Sequence, residues 1–159
     1  MKYLHKIKGI ALRAASLSDA LSIWQWRNLD DAYKFYGNAE YVPYEKHIGW
    51  FRKALNDEDR YLLIAELEGD PIAHIRFDLE DTSATVSICM AGNAKGKKLS
   101  RPSLEVSCDY IMSKGYTEIL ASIHEMNLAS IRLFRSLDFE LETSSPPFLN
   151  YCLRKHREA

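Results

Sequence analysis

Met90-Ala91-Gly92-Asn93-Ala94-Lys95-Gly96-Lys97-Lys98-Leu99-Ser100-Arg101 carries a strand into a glycine-containing loop, and the loop into a helix. The strand is expected over residues 84–91 and the helix over residues 101–114. Leu104, Cys108, Ile111 and Met112 give that helix its inward face, and Gly115 suits its C-terminal cap. The first backbone N–H groups of such a helix lack partners, and its dipole adds positive potential there. Lys95, Lys97, Lys98 and Arg101 gather cationic charge at the same corner. A phosphate or pyrophosphate ligand satisfies both features; a solvated basic loop is the plainer alternative.

Upstream, Tyr61-Leu62-Leu63-Ile64-Ala65 is apolar throughout, as in a strand covered on both faces. Glu68-Gly69-Asp70-Pro71 turns the chain into an antiparallel partner. In that partner Ala73, Ile75, Phe77 and Leu79 point one way, and His74, Arg76 and Asp78 the other. Further towards the N-terminus a strand is expected over residues 7–14. Ser18 is the expected cap of a helix whose buried side is Leu21, Ile23 and Trp24, and a second helix is expected over residues 44–55. Residues 29–42 lack periodicity and read as an irregular excursion. Downstream come a strand over 118–125, a short helix over 128–137 capped by Asn127, and closing strands over 139–143 and 148–154. The order β-α-α-β-β-β-α-β-α-β-β describes an α+β domain: a mixed, largely antiparallel sheet with helices on both faces.

Composition narrows the classes. A chain of 159 residues is expected to form one domain, residues 1–159, with a core that needs no metal or disulfide. A formal net charge of −1 argues against a general nucleic-acid surface. No apolar run approaches the roughly 20 residues that span a bilayer. The N-terminus alternates charged and apolar residues rather than forming a secretory signal, so a cytoplasmic protein without a membrane partner is expected. Cys89, Cys108 and Cys152 fit reduced thiols, and no CxxC, HxH or HxxxH cluster suggests a metal.

A second motif, Asn127-Leu128-Ala129-Ser130-Ile131-Arg132-Leu133-Phe134 and on to Asp138-Phe139, reads locally as ordinary helix construction. In order, the two motifs resemble the GNAT superfamily of acetyl-coenzyme A-dependent N-acetyltransferases. The family's pyrophosphate loop, Arg/Gln-x-x-Gly-x-Gly/Ala, falls on Lys95 to Ser100, with Lys98 and Ser100 at the glycine positions. Ser100 is small enough for close backbone approach, whereas the Cβ of Lys98 is expected to exclude a positive φ. The later pattern, Asn-x-x-Ser/Ala-x-x-Leu-Tyr-x-x-x-Gly-Phe, matches Asn127, Ser130, Leu133, Phe134 and Phe139, and Asp138 replaces its glycine. The resemblance implies acetyl-CoA as co-substrate, with no metal. It implies cofactor contacts from Ile88, Cys89, Met90, Lys95, Gly96, Lys97, Lys98, Ser100, Asn127 and Phe134. Many members carry Tyr at the position of Phe134 to protonate the departing thiolate, which phenylalanine cannot do.

Trp26-Arg27-Asn28, Phe35-Tyr36-Gly37-Asn38, Tyr44-Glu45-Lys46-His47 with Trp50-Phe51, and Arg76-Phe77-Asp78 are similar to the branch acting on nucleotide-linked amino sugars. That branch acetylates the 4-amino group of a UDP-linked dideoxy sugar in pseudaminic acid synthesis. The resemblance implies substrate contacts from Arg27, Asn28, His47, Arg76 and Asp78. Trp50 reads as packing or as a wall of a sugar pocket, and Trp24 as core.

The amine must lose a proton, so a base is needed. His74 shares its strand face with Arg76 and Asp78, opposite a small polar face of Thr85, Ser87 and Cys89, and is the first candidate. Glu125, with His124, is its rival. Cys89 reads as an inert thiol rather than a nucleophile. Three functions remain open: acetylation of a nucleotide amino sugar, acetylation of a peptide or protein α-amine, and acyl-CoA binding without catalysis. The closing strands offer a route to a homodimer.

Overall fold

Leu62 and Ile64 alternate with Leu63 and Ala65, and all four are buried, so the strand they form must be covered twice. In the computed structural model, which describes residues 2–29 and 40–155, that strand is β3 (Arg60–Leu67). Leu63 and Ala65 join a core with Ile75, Phe77, Leu104, Ile111 and Ile119, whereas Leu62 and Ile64 join a second with Ala20, Ile23, Phe51 and Ala54. The first lies under α3 (Ser100–Ser113) and α4 (Leu128–Ser136), the second under α1 (Ala20–Arg27) and α2 (Tyr44–Leu55).

The other strands are β1 (His5–Ile7), β2 (Ile10–Ala14), β4 (Asp70–Glu80), β5 (Ser83–Met90), β6 (Glu118–His124), β7 (Glu140–Ser145) and β8 (Phe148–Arg154). They form one sheet in the order β1-β2-β3-β4-β5-β6-β8-β7. Every neighbouring pair is antiparallel except β5–β6, whose connection runs through α3. The α+β reading therefore holds, with helices on both faces.

Three local expectations need correction. The strand expected over residues 7–14 is a hairpin, because Lys8 (φ 52°) and Gly9 (φ 82°) form a two-residue turn that pairs Ile7 with Ile10. Ser16, not Ser18, precedes the first helical turn; its N–H donates to Asp19 Oδ2 at 2.8 Å. Finally, Leu21 is 49% exposed and Trp24 only half-buried, while Ala20 and Ile23 face inward. The cause is Asp19. Arg13, buried on β2, draws that carboxylate inward through bonds of 2.8 and 2.9 Å, which sets the rotation of the helix that follows. Trp24 instead donates its indole N–H to Val42 O at 2.6 Å. Most of the excursion read over residues 29–42, and the Phe35-Tyr36-Gly37-Asn38 stretch, lie outside the described residues.

Candidate active site

The site begins where the sheet parts. β5 pairs with β4 along its whole length, and β6 with β8 along its own. Between them only Ser83, Ala84 and Thr85 are in register with Glu118, Ile119 and Leu120. Each strand stays with its outer neighbour as the sheet twists, so a wedge opens beyond Thr85 and leaves one edge of β5 unpaired. A cavity of about 420 Å³ fills the wedge. Ile88, Cys89 and Met90 line it from β5, and Asn127 and Phe134 from the far side.

Its outer end is the loop singled out in the sequence. Lys95, Gly96, Lys98 and Ser100 line the cavity, whereas Lys97 is exposed and does not. Among the described residues, the backbone N–H groups of Lys98, Leu99, Ser100 and Arg101 make no backbone hydrogen bond. They cluster at the start of α3, which suits an anion. Lys98 does not exclude a positive φ: it sits at 60° beside Gly96 at 75°. Asp138, the other residue at a family glycine position, sits at 69°. Both positions keep the left-handed backbone at a cost of about 1–2 kcal/mol each.

Asn127 caps α4, its side chain accepting from the Ser130 N–H at 3.3 Å, and also borders the cavity. Phe134 is buried with its ring edge-on to Phe139, centroids 4.9 Å apart. It offers the wedge an apolar wall and no proton.

A second cavity, about 450 Å³, opens on the α1–α2 side of the sheet. Arg27, His47, Trp50, His74, Arg76 and Asp78 line it, so the polar face read for β4 borders a hollow. Register places His74 opposite Cys89, Arg76 opposite Ser87 and Asp78 opposite Thr85. The two cavities share a wall of Val86, Ser87, Ile88, Cys89 and Ser122.

Arg76 Nη2 lies 3.3 Å from Asp78 Oδ2, while Arg60 Nε lies 3.5 Å from Oδ1 of the same carboxylate. The Arg60 and Arg76 guanidiniums also lie over the Trp50 ring, 5.7 and 5.5 Å from its centroid. Trp50 thus combines packing with lining. The Arg76 Nε is buried and has no hydrogen-bond partner among the described residues. Burial lowers the Arg76 pKa against the pull of Asp78. His47 approaches the Ala20 carbonyl through Nε2 at 2.9 Å and stacks on Phe51. Burial lowers its pKa as well.

His74 Nδ1 lies 3.0 Å from Leu63 O. A carbonyl only accepts, so Nδ1 carries the proton and the neutral ring keeps its lone pair on Nε2. Burial pushes the His74 pKa down to about 4, more than the Leu63 bond raises it. A His whose folded pKa lies below its ordinary value near 6.5 contributes stability above that value and loses it as pH falls through the folded pKa. Unfolding stability is therefore expected to fall between pH 6.5 and about 4. In His74→Gln the slope should be shallower by up to about 1.4 kcal/mol per pH unit. Denaturation midpoints across that range check this, and parallel profiles would refute it.

Besides Lys97, two residues expected at the site from the sequence stay outside it. Glu125 is exposed and lines neither cavity; its N–H pairs with Pro147 O as the chain leaves β6. Asn28 lines neither cavity, because its Nδ2 turns back to Trp24 O at 2.9 Å as the helix ends. Ser122, not among the residues expected from the sequence, lines both cavities; the alternation of Ile119, Ala121 and Ile123 into the core leaves it on the opposite face.

Residues 10–140 match the family model described as "Acetyltransferase (GNAT) domain", and the chain belongs to this family. Among solved structures it is similar to spermidine N-acetyltransferase from Vibrio cholerae in complex with CoA and spermine. That likeness has a TM-score of 0.83 at 15% identity, covering 93% of this chain and 96% of the other. It is also similar to yncA, a putative acetyltransferase from Salmonella typhimurium with its cofactor acetyl-CoA, with a TM-score of 0.74 at 20% identity, covering 96% and 97%. An uncharacterized protein of Methanocaldococcus jannaschii, MJ1062, is 25% identical over 138 residues, 82% of this chain. The chain spans only 28% of the length of that relative.

Proposed function

We propose that the protein transfers acetyl from acetyl-CoA to a primary amine of a small molecule, and that the acceptor is a nucleotide-linked amino sugar. The observation that carries this reading is the common wall: the wedge and the arginine-lined cavity meet along Val86 to Cys89 and Ser122. A thioester held in one lies within reach of an amine held in the other.

The bound co-substrate supplies an activated acetyl thioester. Lys98 to Arg101 hold its diphosphate on backbone N–H groups, and the unpaired edge of β5 aligns the arm and polarises the carbonyl. Asp78 and Arg76 fix the acceptor, and the free Nε of Arg76 suits an anionic group such as a phosphate. As the new C–N bond forms and the C–S bond breaks, the amine nitrogen becomes acidic, and neutral His74 stands in the acceptor cavity to receive its proton. Phe134 supplies no acid, but a thiol of pKa about 8.5 is a tolerable leaving group near neutrality.

Charge separates the acceptors. Two guanidiniums, Arg60 and Arg76, share one carboxylate, Asp78, the one carboxylate among the described residues that line this cavity, and burial keeps His47 and His74 neutral. Such a wall repels a polyamine and attracts an anion. At a hundredfold excess over Kd, acetyl-CoA is expected to raise the melting temperature by about 5–10 °C. Thiol release is expected with UDP-linked amino sugars and not with spermidine or peptides. No thermal shift would overturn the acetyl-CoA reading. Turnover on peptides or spermidine alone would overturn the acceptor.

A further inference from the structure

We propose that the Ser122 hydroxyl donates a hydrogen bond to the departing thiolate sulfur, a role for which Phe134 has no group. This rests on the acetyl-CoA reading and adds to it the residue that stabilises the leaving group.

Sheet register puts that hydroxyl where the two cavities meet. The last pair between β5 and β6 is Thr85 with Leu120, and two residues further along each strand stand Ser87 and Ser122. Ser87 lies opposite Arg76, on the α1–α2 side of the sheet. Ser122 faces the same side, because its neighbours Ala121 and Ile123 turn into the core under α3 and α4. The two serines therefore flank the parted strands just past their last pair, and both border the wedge and the second cavity. Ser122 is exposed to that space. Its partner on β8, Asn150, gives its amide to Thr143 Oγ1 at 3.0 Å. Among the described residues the Ser122 hydroxyl has no hydrogen-bond partner.

Of the residues common to both cavities, Ser87, Cys89 and Ser122 carry a side-chain donor. Ser87 and Cys89 belong to β5, whose unpaired edge takes the carbonyl oxygen. Ser122 stands across the gap on β6, where the sulfur is directed once that oxygen turns to β5. Ser100 and Ser130 line the wedge but do not reach the second cavity. When the tetrahedral intermediate collapses, the C–S electron pair passes to sulfur. The new charge then lies in a cleft whose α4 wall is the buried Phe134 ring. A hydroxyl donor there takes the place of water, and a hydrogen bond to a charged acceptor is roughly twice as strong as one between neutral groups. Ser122 keeps its own proton throughout. The amine's proton goes to His74, and the thiolate takes one from water as CoA leaves.

A pH titration of CoA bound to the full chain tests the assignment without any acceptor, followed by the NMR shift of the methylene carbon beside the sulfur. Ser122→Ala is expected to raise the pKa of the bound thiol by about one pH unit or more, the size expected of a lost hydrogen bond to a charged group. Cys89, His74 and Arg76 on one side of the gap and His124 on the other are the same in both proteins, so the difference reports the hydroxyl. Ser122→Thr keeps the donor and should titrate near wild type. With a UDP-linked amino sugar as acceptor, Ser122→Ala should also slow acetyl transfer in a single turnover by about tenfold or more, with CoA affinity at neutral pH little changed. An unchanged thiol pKa in Ser122→Ala, or an equal rise in Ser122→Thr, overturns the assignment while the acetyl-CoA reading stands. An unchanged single-turnover rate overturns it too. If CoA does not bind, the acetyl-CoA reading fails, and this inference with it.

Discussion

Replacing Arg76 with alanine is expected to raise the KM for an anionic amine acceptor by about a hundredfold or more, with the KM for acetyl-CoA unchanged. Arg76 lies on the α1–α2 side of β4, opposite Ser87, and of the two cavities that meet at β5 lines only the one proposed for the acceptor. Its guanidinium is positioned before any ligand arrives. Asp78 holds one end at 3.3 Å, and the Trp50 ring lies beneath it. Side-chain ordering has thus been completed in folding, and the buried Nε remains to be satisfied by the acceptor. Truncation removes the donor and leaves Asp78 facing the cavity with Arg60 alone, so local charge falls as well. Arg76→Lys keeps the charge but loses the planar fork and the stacking, and should recover only part of the loss. Steady-state kinetics with both substrates varied will decide. An unchanged acceptor KM would remove Arg76 from the acceptor site. An equal rise in both KM values would mean that the substitution deforms β5 instead.

The features legible in the sequence were those set by local periodicity. The alternation from Ala73 to Leu79 fixes which face of β4 is core, and so places His74, Arg76 and Asp78 together. The four buried positions of β3 fix the two covering layers. The wedge was not legible, because it arises from a mismatch of pairing: β5 and β6 are joined through α3 yet keep contact over three residues each. Ser122 acquires meaning only once that wedge exists. Conformation at Lys98 and Asp138 was illegible for another reason. Their side chains argue for a negative φ, and the surrounding fold overrides that preference. The buried face of α1 is not legible from spacing alone, which favours Leu21 and Trp24, because a buried ion pair one turn earlier turns Ala20 and Ile23 inward.

That ion pair carries the largest expected effect on stability. Arg13→Ala should cost about 3–5 kcal/mol, a large share of the 5–15 kcal/mol that holds a typical domain together. Arg13 donates to both oxygens of Asp19 and, through Nε at 2.8 Å, to Glu66 Oε2, whose other oxygen accepts from the Tyr3 hydroxyl at 2.7 Å. One cation therefore serves two buried carboxylates. Without it they confront each other with the Tyr3 phenol and the N–H and hydroxyl of Ser16 as the remaining donors. The pH dependence distinguishes this cause from simple loss of packing. Burial raises the Asp19 pKa, but the bonds from Arg13 and Ser16 outweigh it and hold the carboxyl below its ordinary value. A depressed carboxylate contributes stability above its unfolded pKa near 3.9 and loses it as pH falls through the folded value. In Arg13→Ala the burial effect is no longer opposed by the guanidinium, so Asp19 takes up its proton more readily and the variant loses less in acid. The gap between wild type and variant, measured by urea denaturation, should narrow as pH falls towards 4. A gap below about 1 kcal/mol at neutral pH, or one that widens in acid, would show that the triad does not hold the start of α1. The consequence reaches the site, since α1 ends at Arg27, which lines the cavity proposed for the acceptor. Arg13→Ala should therefore weaken acceptor binding while leaving the loop at Lys98 to Arg101, on the opposite side of the sheet, able to bind CoA.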